Sequence, residues 1–283
     1  MSLTCVRLHQ GRTESAPRPT PAAPPPAVAR TTSARPRPWR ELALIAALFL
    51  VYKLGRLAVA GHVALAYRNA RLVWGFERRL HLSDETDAQR LLLHNHVLVQ
   101  AVNGFYAYVH FPATIAFLLW MYLRRPSYYR QARRTLAALT ALALAVHVLF
   151  PLAPPRLLTG IGLIDTAAQY GPSVYGSPQS DTLSNQYAAM PSLHVGWALV
   201  IALTLITTTR SRWRWLWLAH PIATTFVVIA TANHYWLDAL VASVLVAGVH
   251  LVLRPRPGRA TRPAPTRLRA VAPTPAQHAG TSG

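Results

Sequence analysis

Three short strings hold side chains able to grip an anion and move protons: Pro154-Pro155-Arg156, Met190-Pro191-Ser192-Leu193-His194, and His234-Tyr235-Trp236-Leu237-Asp238. His234 and Asp238 are four residues apart, so on a helix they share a face, and the carboxylate can accept a proton from one imidazole nitrogen. That bond fixes the tautomer and leaves the other nitrogen as a nucleophile. Pro191 suits the first position of a helix, where its missing N–H is no loss. Unpaired backbone N–H groups there, with the Ser192 hydroxyl, would cradle an anion. His194, within the first turn, is placed to protonate a departing alkoxide, a step that typically contributes about 10²–10⁴-fold. Arg156 offers a planar fork that matches phosphate oxygens. Each element also has a plainer reading. A histidine at a helix end often snorkels or packs, His-x-x-x-Asp is often a surface pair, and Pro-Ser often only starts a helix. Convergence of the three strings on one face is what makes them a site hypothesis.

The segments that must position these residues are strongly apolar. Six stretches, near 42–61, 103–123, 135–152, 192–209, 214–232 and 235–253, approach the roughly 20 helical residues needed to cross a hydrocarbon core. Between the first two, Val63, Tyr67, Ala70 and Trp74 recur at helical spacing while Arg68, Arg71 and Arg79 fall on another side, the pattern of an interfacial amphipathic helix. The apolar run 91–99 is expected to lead into the next span, with Asn103-Gly104 as a break. The expected fold is therefore all-α: an integral membrane bundle of six transmembrane helices with one extra interfacial helix. Residues 1–40 and 254–283, rich in Arg and Pro, read as disordered tails flanking a single membrane domain over 41–253.

Charged residues make up 13% of the chain, about half the share usual in soluble domains. The net charge of +20 does not imply nucleic acid, because the arginines form no basic face interleaved with exposed aromatics. They follow a membrane topology instead. With the N-terminus inside, 21 Lys and Arg fall on the cytoplasmic side and 6 on the other, while Lys53 and Arg56 lie within the first span. This predicts a multi-pass protein of the cell membrane with both termini cytoplasmic and the three strings at the extracytoplasmic face. Ionisable groups gathered at helix ends there mark a functional site by default. Cys5 is the only cysteine, which excludes an intramolecular disulfide and a multi-cysteine metal site.

PSLH followed by HYWLD resembles the second and third signature motifs of the type 2 phosphatidic acid phosphatase superfamily. PSLH together with HYxxD lacking a nearby Arg is more similar to its inositol phosphorylceramide synthase branch and the bacterial relatives of that branch. The run from Asn69-Ala70 through Glu77, Glu85 and Tyr106 to His110 looks like that branch too, so the resemblance covers about 62–253. It implies His234 as the nucleophile that forms a phosphohistidine, Asp238 as its orienting carboxylate, His194 as general acid and Ser192 as a phosphate ligand. It also implies no metal and no other cofactor. The sequence departs from the superfamily where two phosphate-binding cations are expected: Leu149 stands in place of a Lys, and Val228 in place of an Arg. Leu157, rather than Pro, follows Arg156. Lys53 and Arg56 are candidates to replace the missing charge, as are Arg68, Arg71 and Arg79. His110 and His147 are expected to pack or to support the site.

The activity these readings imply is hydrolysis or transfer of a phosphoryl group on a lipid-like phosphate ester, with membrane lipids as surroundings. The alternative within the same chemistry is synthase-like transfer of a phospho-headgroup to a polyol or lipid alcohol. Vanadium-dependent halide oxidation shares these motifs in related families, but six spans fit a lipid-soluble substrate better. A transporter or scaffold would leave Ser192, His194, His234 and Asp238 without a task. The connection 153–190, with Tyr170, Tyr175, Gln179, Asn185, Gln186 and Tyr187, has the length and polarity of a lid suited to a polyol.

Overall fold

Helix-forming runs of Leu, Ala and Val separated by short polar breaks dominate the chain, and the computed structural model is correspondingly all-helical among the described residues. It describes residues 36–59, 62–82, 85–173 and 185–254, with the backbone alone for Arg56, Ala58 and Val59. All of these belong to one compact unit, 34–283. The order is α1 (Pro38–Val59), α2 (Val63–Arg79), α3 (Glu85–Leu93), α4 (His96–Tyr108), α5 (His110–Arg124), α6 (Pro126–Leu149), α7 (Thr166–Tyr170), α8 (Leu193–Thr208), α9 (Ala219–Ala230) and α10 (Trp236–Val252). Two 3-10 turns, Pro155–Leu157 and Arg212–Leu218, precede α7 and α9. The tails over 1–35 and 255–283, and Tyr175, Gln179 and Asp181 of the expected lid, lie outside the described residues.

Several boundaries differ from the sequence reading, for local reasons. The run 91–99 is not continuous: Asn95 accepts from Val97 N at 2.9 Å and Leu98 N at 3.2 Å, so it caps α4 and separates it from α3. The next break falls at Val109, not at Asn103-Gly104, and α4 and α5 meet there at 44°. Asn103 is instead held within α4, its amide donating to the carbonyls of Thr166 and Gly171. α6 begins at Pro126, nine residues before the expected start, because a proline in the first turn costs no hydrogen bond and Tyr129 and Ala132 pack in the core. Among the described residues α6 alone is long and apolar enough to cross a membrane, and the bent α4–α5 pair also passes if counted as one span. α8 and α10 are apolar but shorter.

α6, α8 and α10 form the centre. Gly196 brings α8 close, since a Cβ there would lie 2.9 Å from Leu139 Cδ2 on α6. Around this centre Leu136, Leu139, Val200, Ile201 and Val246 make an interior cluster with Phe117 and Met121 of α5. Large apolar side chains also cover the outside, among them Ile45 and Leu54 on α1, Ile115 and Leu119 on α5, Ile222 on α9, and Leu240 and Val244 on α10.

Two ends of the bundle are tied differently. At one end, Tyr122 Oη donates to the Pro36 carbonyl, and Gln131 Nε2 to that of Leu253. These bonds gather the start of α1, the Arg124–Arg125 turn and the end of α10. The three signature strings meet at the other end.

Candidate active site

The second and third strings occupy the starts of two helices. Ser192 is the N-cap of α8, extended in backbone, with its hydroxyl accepting from Val195 N at 3.4 Å. Pro191 therefore lies just outside the helix and not at its first position. The Ser192 N–H also has a partner, the Asp238 carbonyl at 3.2 Å. This bond fastens the start of α8 to the first turn of α10, so the cradle expected at Ser192 is partly occupied by capping.

His234 is likewise not helical. It sits in the tight turn from α9 to α10, which contains Ala232 at a left-handed φ of 54°, a conformation that costs a residue with a Cβ and persists only where its surroundings enforce it. The enforcement is visible. Asn233 N and His234 N both donate to the Val228 carbonyl, and Arg156 N donates to the Ala232 carbonyl at 2.9 Å. The His234–Asp238 contact expected from helical spacing forms by another route. Asp238 is the third residue of α10, and its Oδ2 accepts both from Tyr235 N at 2.9 Å and from His234 Nδ1 at 3.1 Å. The carboxylate caps the helix and holds the imidazole together. Asp238 is fully buried.

A second acceptor faces the same ring nitrogen: the Ala189 carbonyl lies 2.8 Å from His234 Nδ1. A carbonyl can only accept, so the proton of a neutral His234 resides on Nδ1 and Nε2 carries the lone pair. Ala189 is brought there by a parallel bridge between Leu152 and Ala188, in which Leu152 N donates to the Tyr187 carbonyl and Ala189 N to that of Leu152.

Arg156, in the 3-10 turn after α6, is buried and donates through Nε to Asn233 Oδ1 at 2.9 Å and through Nη1 to Asp165 Oδ2 at 3.2 Å. Asn233 is in turn oriented by donating to Thr231 Oγ1 at 2.8 Å. His194 stacks on Tyr106, ring centroids 4.6 Å apart, touches His110 at 4.5 Å and lies 6.0 Å from the ring of His234. Arg156, His194, Asn233 and His234 line one cavity of about 370 Å³, together with Tyr52, Asn185, Gln186 and His147. His147 donates from Nε2 to the Pro191 carbonyl at 3.2 Å, which makes it a support for the α8 entry. Among the described residues no group of three or more His, Cys, Asp and Glu is arranged to hold a metal ion.

A family model described as the PAP2 superfamily matches residues 71–253, well over half of the chain. The chain belongs to the PAP2 superfamily. No curated protein and no solved structure matches it. Membership makes this a phosphoesterase-like enzyme acting on phosphate esters.

Within the PAP2 region the fold brings together Arg156, Ser192, His194, His234 and Asp238, while Lys53 goes elsewhere. Its ammonium lies 5.5 Å from the centroid of the Phe49 ring, one turn back along α1, and Lys53 does not line the cavity. The Arg56 side chain lies outside the described residues. Arg68, Arg71 and Arg79 are exposed on α2 and do not line the cavity either. Three participants had weak or no signals in the sequence. Asn233 adjoins His234 and is a lone amide in an apolar stretch, which is a signal of a kind. Asp165 lies in the connection 153–190 with no motif around it, and the Ala189 carbonyl has no side-chain signature.

Behind the site of this PAP2 enzyme lies a buried carboxyl pair. Glu77 and Glu85 are fully buried side by side, with Arg78 paired to Glu85 and Glu77 Oε1 accepting from Leu237 N at 2.7 Å. Burial, followed by the neighbouring Glu85, pushes the Glu77 carboxyl up to about 9, so it is protonated at neutral pH. Leu237 lies between His234 and Asp238, so Glu77 braces the first turn of α10 from outside.

Proposed function

We propose that this PAP2 enzyme is a six-span membrane phosphatase or phosphotransferase that works on a lipid-like phosphate ester through a phosphohistidine at His234. The observation that carries the reading is the double acceptor on His234 Nδ1, which leaves Nε2 with its lone pair in a cavity shared with Arg156 and His194. Nε2 attacks phosphorus and the ester P–O bond breaks. His194 gives the leaving alkoxide its proton, and Arg156 with the α8 start holds the phosphoryl oxygens. In the second half His194 takes a proton from water or an alcohol, whose oxygen attacks phosphorus and releases His234.

The membrane setting is supported by the apolar side chains exposed on α1, α5, α9 and α10, since soluble proteins rarely expose contiguous apolar surface beyond a few hundred Å². The Arg124–Arg125 turn lies at the end of the bundle away from the site, in keeping with an extracytoplasmic cavity. After replacement of Cys5, single cysteines placed over 165–173 should react with an impermeant reagent in intact cells. Labelling of 124–128 instead would reverse the orientation.

The charge of the cavity favours transfer as the second reading. Among the described lining residues Arg156 is the one Lys or Arg, and Asp165 already offsets part of its charge. A phosphodiester bears one negative charge and a monoester up to two, so a single guanidinium suits a diester donor better. Asn185 and Gln186 offer amides to a hydroxylated acceptor. Purified protein should be given lipid phosphate monoesters and diesters, with and without a polyol. Faster turnover with the polyol supports transfer, the product being a polyol phosphate from a monoester and, from a diester, a polyol phosphodiester that keeps the uncleaved ester arm. Inorganic phosphate released at an acceptor-independent rate leaves the phosphatase reading.

A further inference from the structure

The cavity of His194 and His234 borders a second one. The walls of the first at Tyr52, Phe111, Leu144 and Leu193 also form the upper end of this second space of about 620 Å³ between α1, α5, α6 and α8. We propose that this cleft holds one alkyl chain of the phosphate ester and ends, after about a dozen carbons, at a polar floor made by Glu41, Tyr129 and Arg133. The proposal rests on the reading of the upper cavity as a lipid-phosphate site.

Four observations support an alkyl chain as the occupant. The two spaces adjoin, and Leu193, next to His194, is a wall of both, so the cleft is the neighbouring apolar space for a chain attached to a phosphate at the histidines. The inner wall is apolar: Leu44 and Leu48 on α1 face Leu136 and Leu144 on α6. The polar side chains along it have partners inside the protein. Thr114 Oγ1 donates to the His110 carbonyl, Thr140 Oγ1 to the Leu136 carbonyl, and Trp197 Nε1 to Thr140 Oγ1. They therefore present carbon to the cleft, and a polar ligand would gain little there. Finally, the side chains at its rim, Ile45 and Phe49 on α1 and Phe111 and Ile115 on α5, are all exposed. This places the opening on the outer apolar surface of the bundle, where a lipid chain would already lie.

The floor sets the length. Tyr129 Oη donates to Glu41 Oε2 at 2.7 Å, and Arg133 is paired with the other oxygen of Glu41. A methyl terminus cannot replace either partner, so the cluster stops a chain rather than lengthening its channel. From Tyr52 to Glu41 is eleven residues of α1. At the rise of an α-helix that is about 16 Å, the length of an extended chain of about a dozen carbons. Because a lipid chain leaving the bilayer is already in hydrocarbon, the cleft discriminates by fit and not by hydrophobic gain. α1 lies before residue 71, where the PAP2 match begins, so this wall is a feature of the chain outside the matched region.

The test is kcat/KM across a series of alkyl phosphates from butyl to octadecyl, at constant detergent. The value should climb to about dodecyl and stop climbing. Leu48→Trp, which fills the cleft midway, should lower the dodecyl-to-butyl ratio on the order of tenfold. Leu44→Trp, nearer the floor, should shorten the preferred chain by a few carbons. An unchanged ratio in both variants, or a steady rise to octadecyl, overturns the proposal while leaving the phosphoryl chemistry standing. A separate measurement does not depend on turnover or on the variants: wild-type protein is photolabelled with an alkyl phosphate carrying a terminal diazirine. Label on α1 near 41–48 and on α6 near 133–137 supports the cleft, and label spread over the outer helix faces overturns it. If no phosphate ester is turned over, the reading of the upper cavity fails and this labelling alone decides the cleft.

Discussion

His234 presents Nδ1 to two acceptors, the Ala189 carbonyl at 2.8 Å and the Asp238 carboxylate at 3.1 Å, on a turn fastened by Arg156. His194, among the described residues, is bounded instead by rings: Tyr106 and His110 at 4.6 and 4.5 Å and Phe111 at 6.0 Å. The contrast separates two tasks. A nucleophile must hold one tautomer and aim one lone pair, which fixed hydrogen bonds accomplish. A group that donates a proton and later accepts one must be positioned without being committed to either state, and ring contacts, stacked against Tyr106 and edge-on against Phe111, constrain orientation while leaving the nitrogens to the substrate.

If that division is right, replacing the two histidines will not be equivalent. His234→Ala should abolish turnover of every phosphate ester, because no bond to phosphorus can form. Residual activity within about tenfold of wild type would assign the attack elsewhere. Asp238→Asn can place its one carbonyl oxygen where Oδ2 now accepts from both Tyr235 N and His234 Nδ1, so cap and tautomer are kept while the negative charge behind the imidazole is lost. The fold should survive and the rate should fall about 10²–10⁴-fold, because the charge that stabilises the imidazole as it turns positive on phosphorylation is gone. An unchanged rate with an unchanged melting temperature would reduce Asp238 to a helix cap.

His194→Ala should discriminate between leaving groups. Turnover of an alkyl phosphate should fall about 10²–10⁴-fold, and that of p-nitrophenyl phosphate, whose leaving group needs no proton, far less. Equal losses for the two would contradict the general-acid role. The smallest effect is expected at Glu77, behind the His234 side. A carboxyl raised to about 9 when folded binds a proton that the unfolded chain releases near its ordinary value of 4.5. Its contribution to stability is therefore full below about 4.5 and declines as pH rises toward 9. Glu77→Gln imitates the protonated form, so it should change activity little at neutral pH and flatten the fall of melting temperature between about pH 5 and 9. A variant that falls as steeply as wild type would move that titration to another group.

Much of this site could be read before the structure, because its side chains stand in compact strings. Arg156, His194, His234 and Asp238 were legible by residue type, and their convergence followed from placing helix ends on one face. The local geometry was not. The spacing of His234 and Asp238 suggested one helical face, yet the contact is made across a helix cap, since a carboxylate at the third position can reach back to both the N-cap N–H and the residue before it. Lys53 was a reasonable replacement cation by depth alone, but rotation about the α1 axis decides where it points, and Tyr52 next to it faces the cavity instead. Helix existence was plain in the apolar runs, whereas the boundaries at Asn95, Val109 and Pro126 depended on capping and packing that no periodicity reports.

The most direct test of the account is to catch the covalent intermediate. Wild-type protein and the His234→Ala and His194→Ala variants would be mixed with p-nitrophenyl phosphate, quenched in base to preserve phosphohistidine, digested and mapped by mass spectrometry. The account predicts a phosphoryl group on His234 in wild type, more of it in His194→Ala, where release lacks its base, and none in His234→Ala. A phosphoryl group on His194, or turnover with His234 replaced, would contradict it.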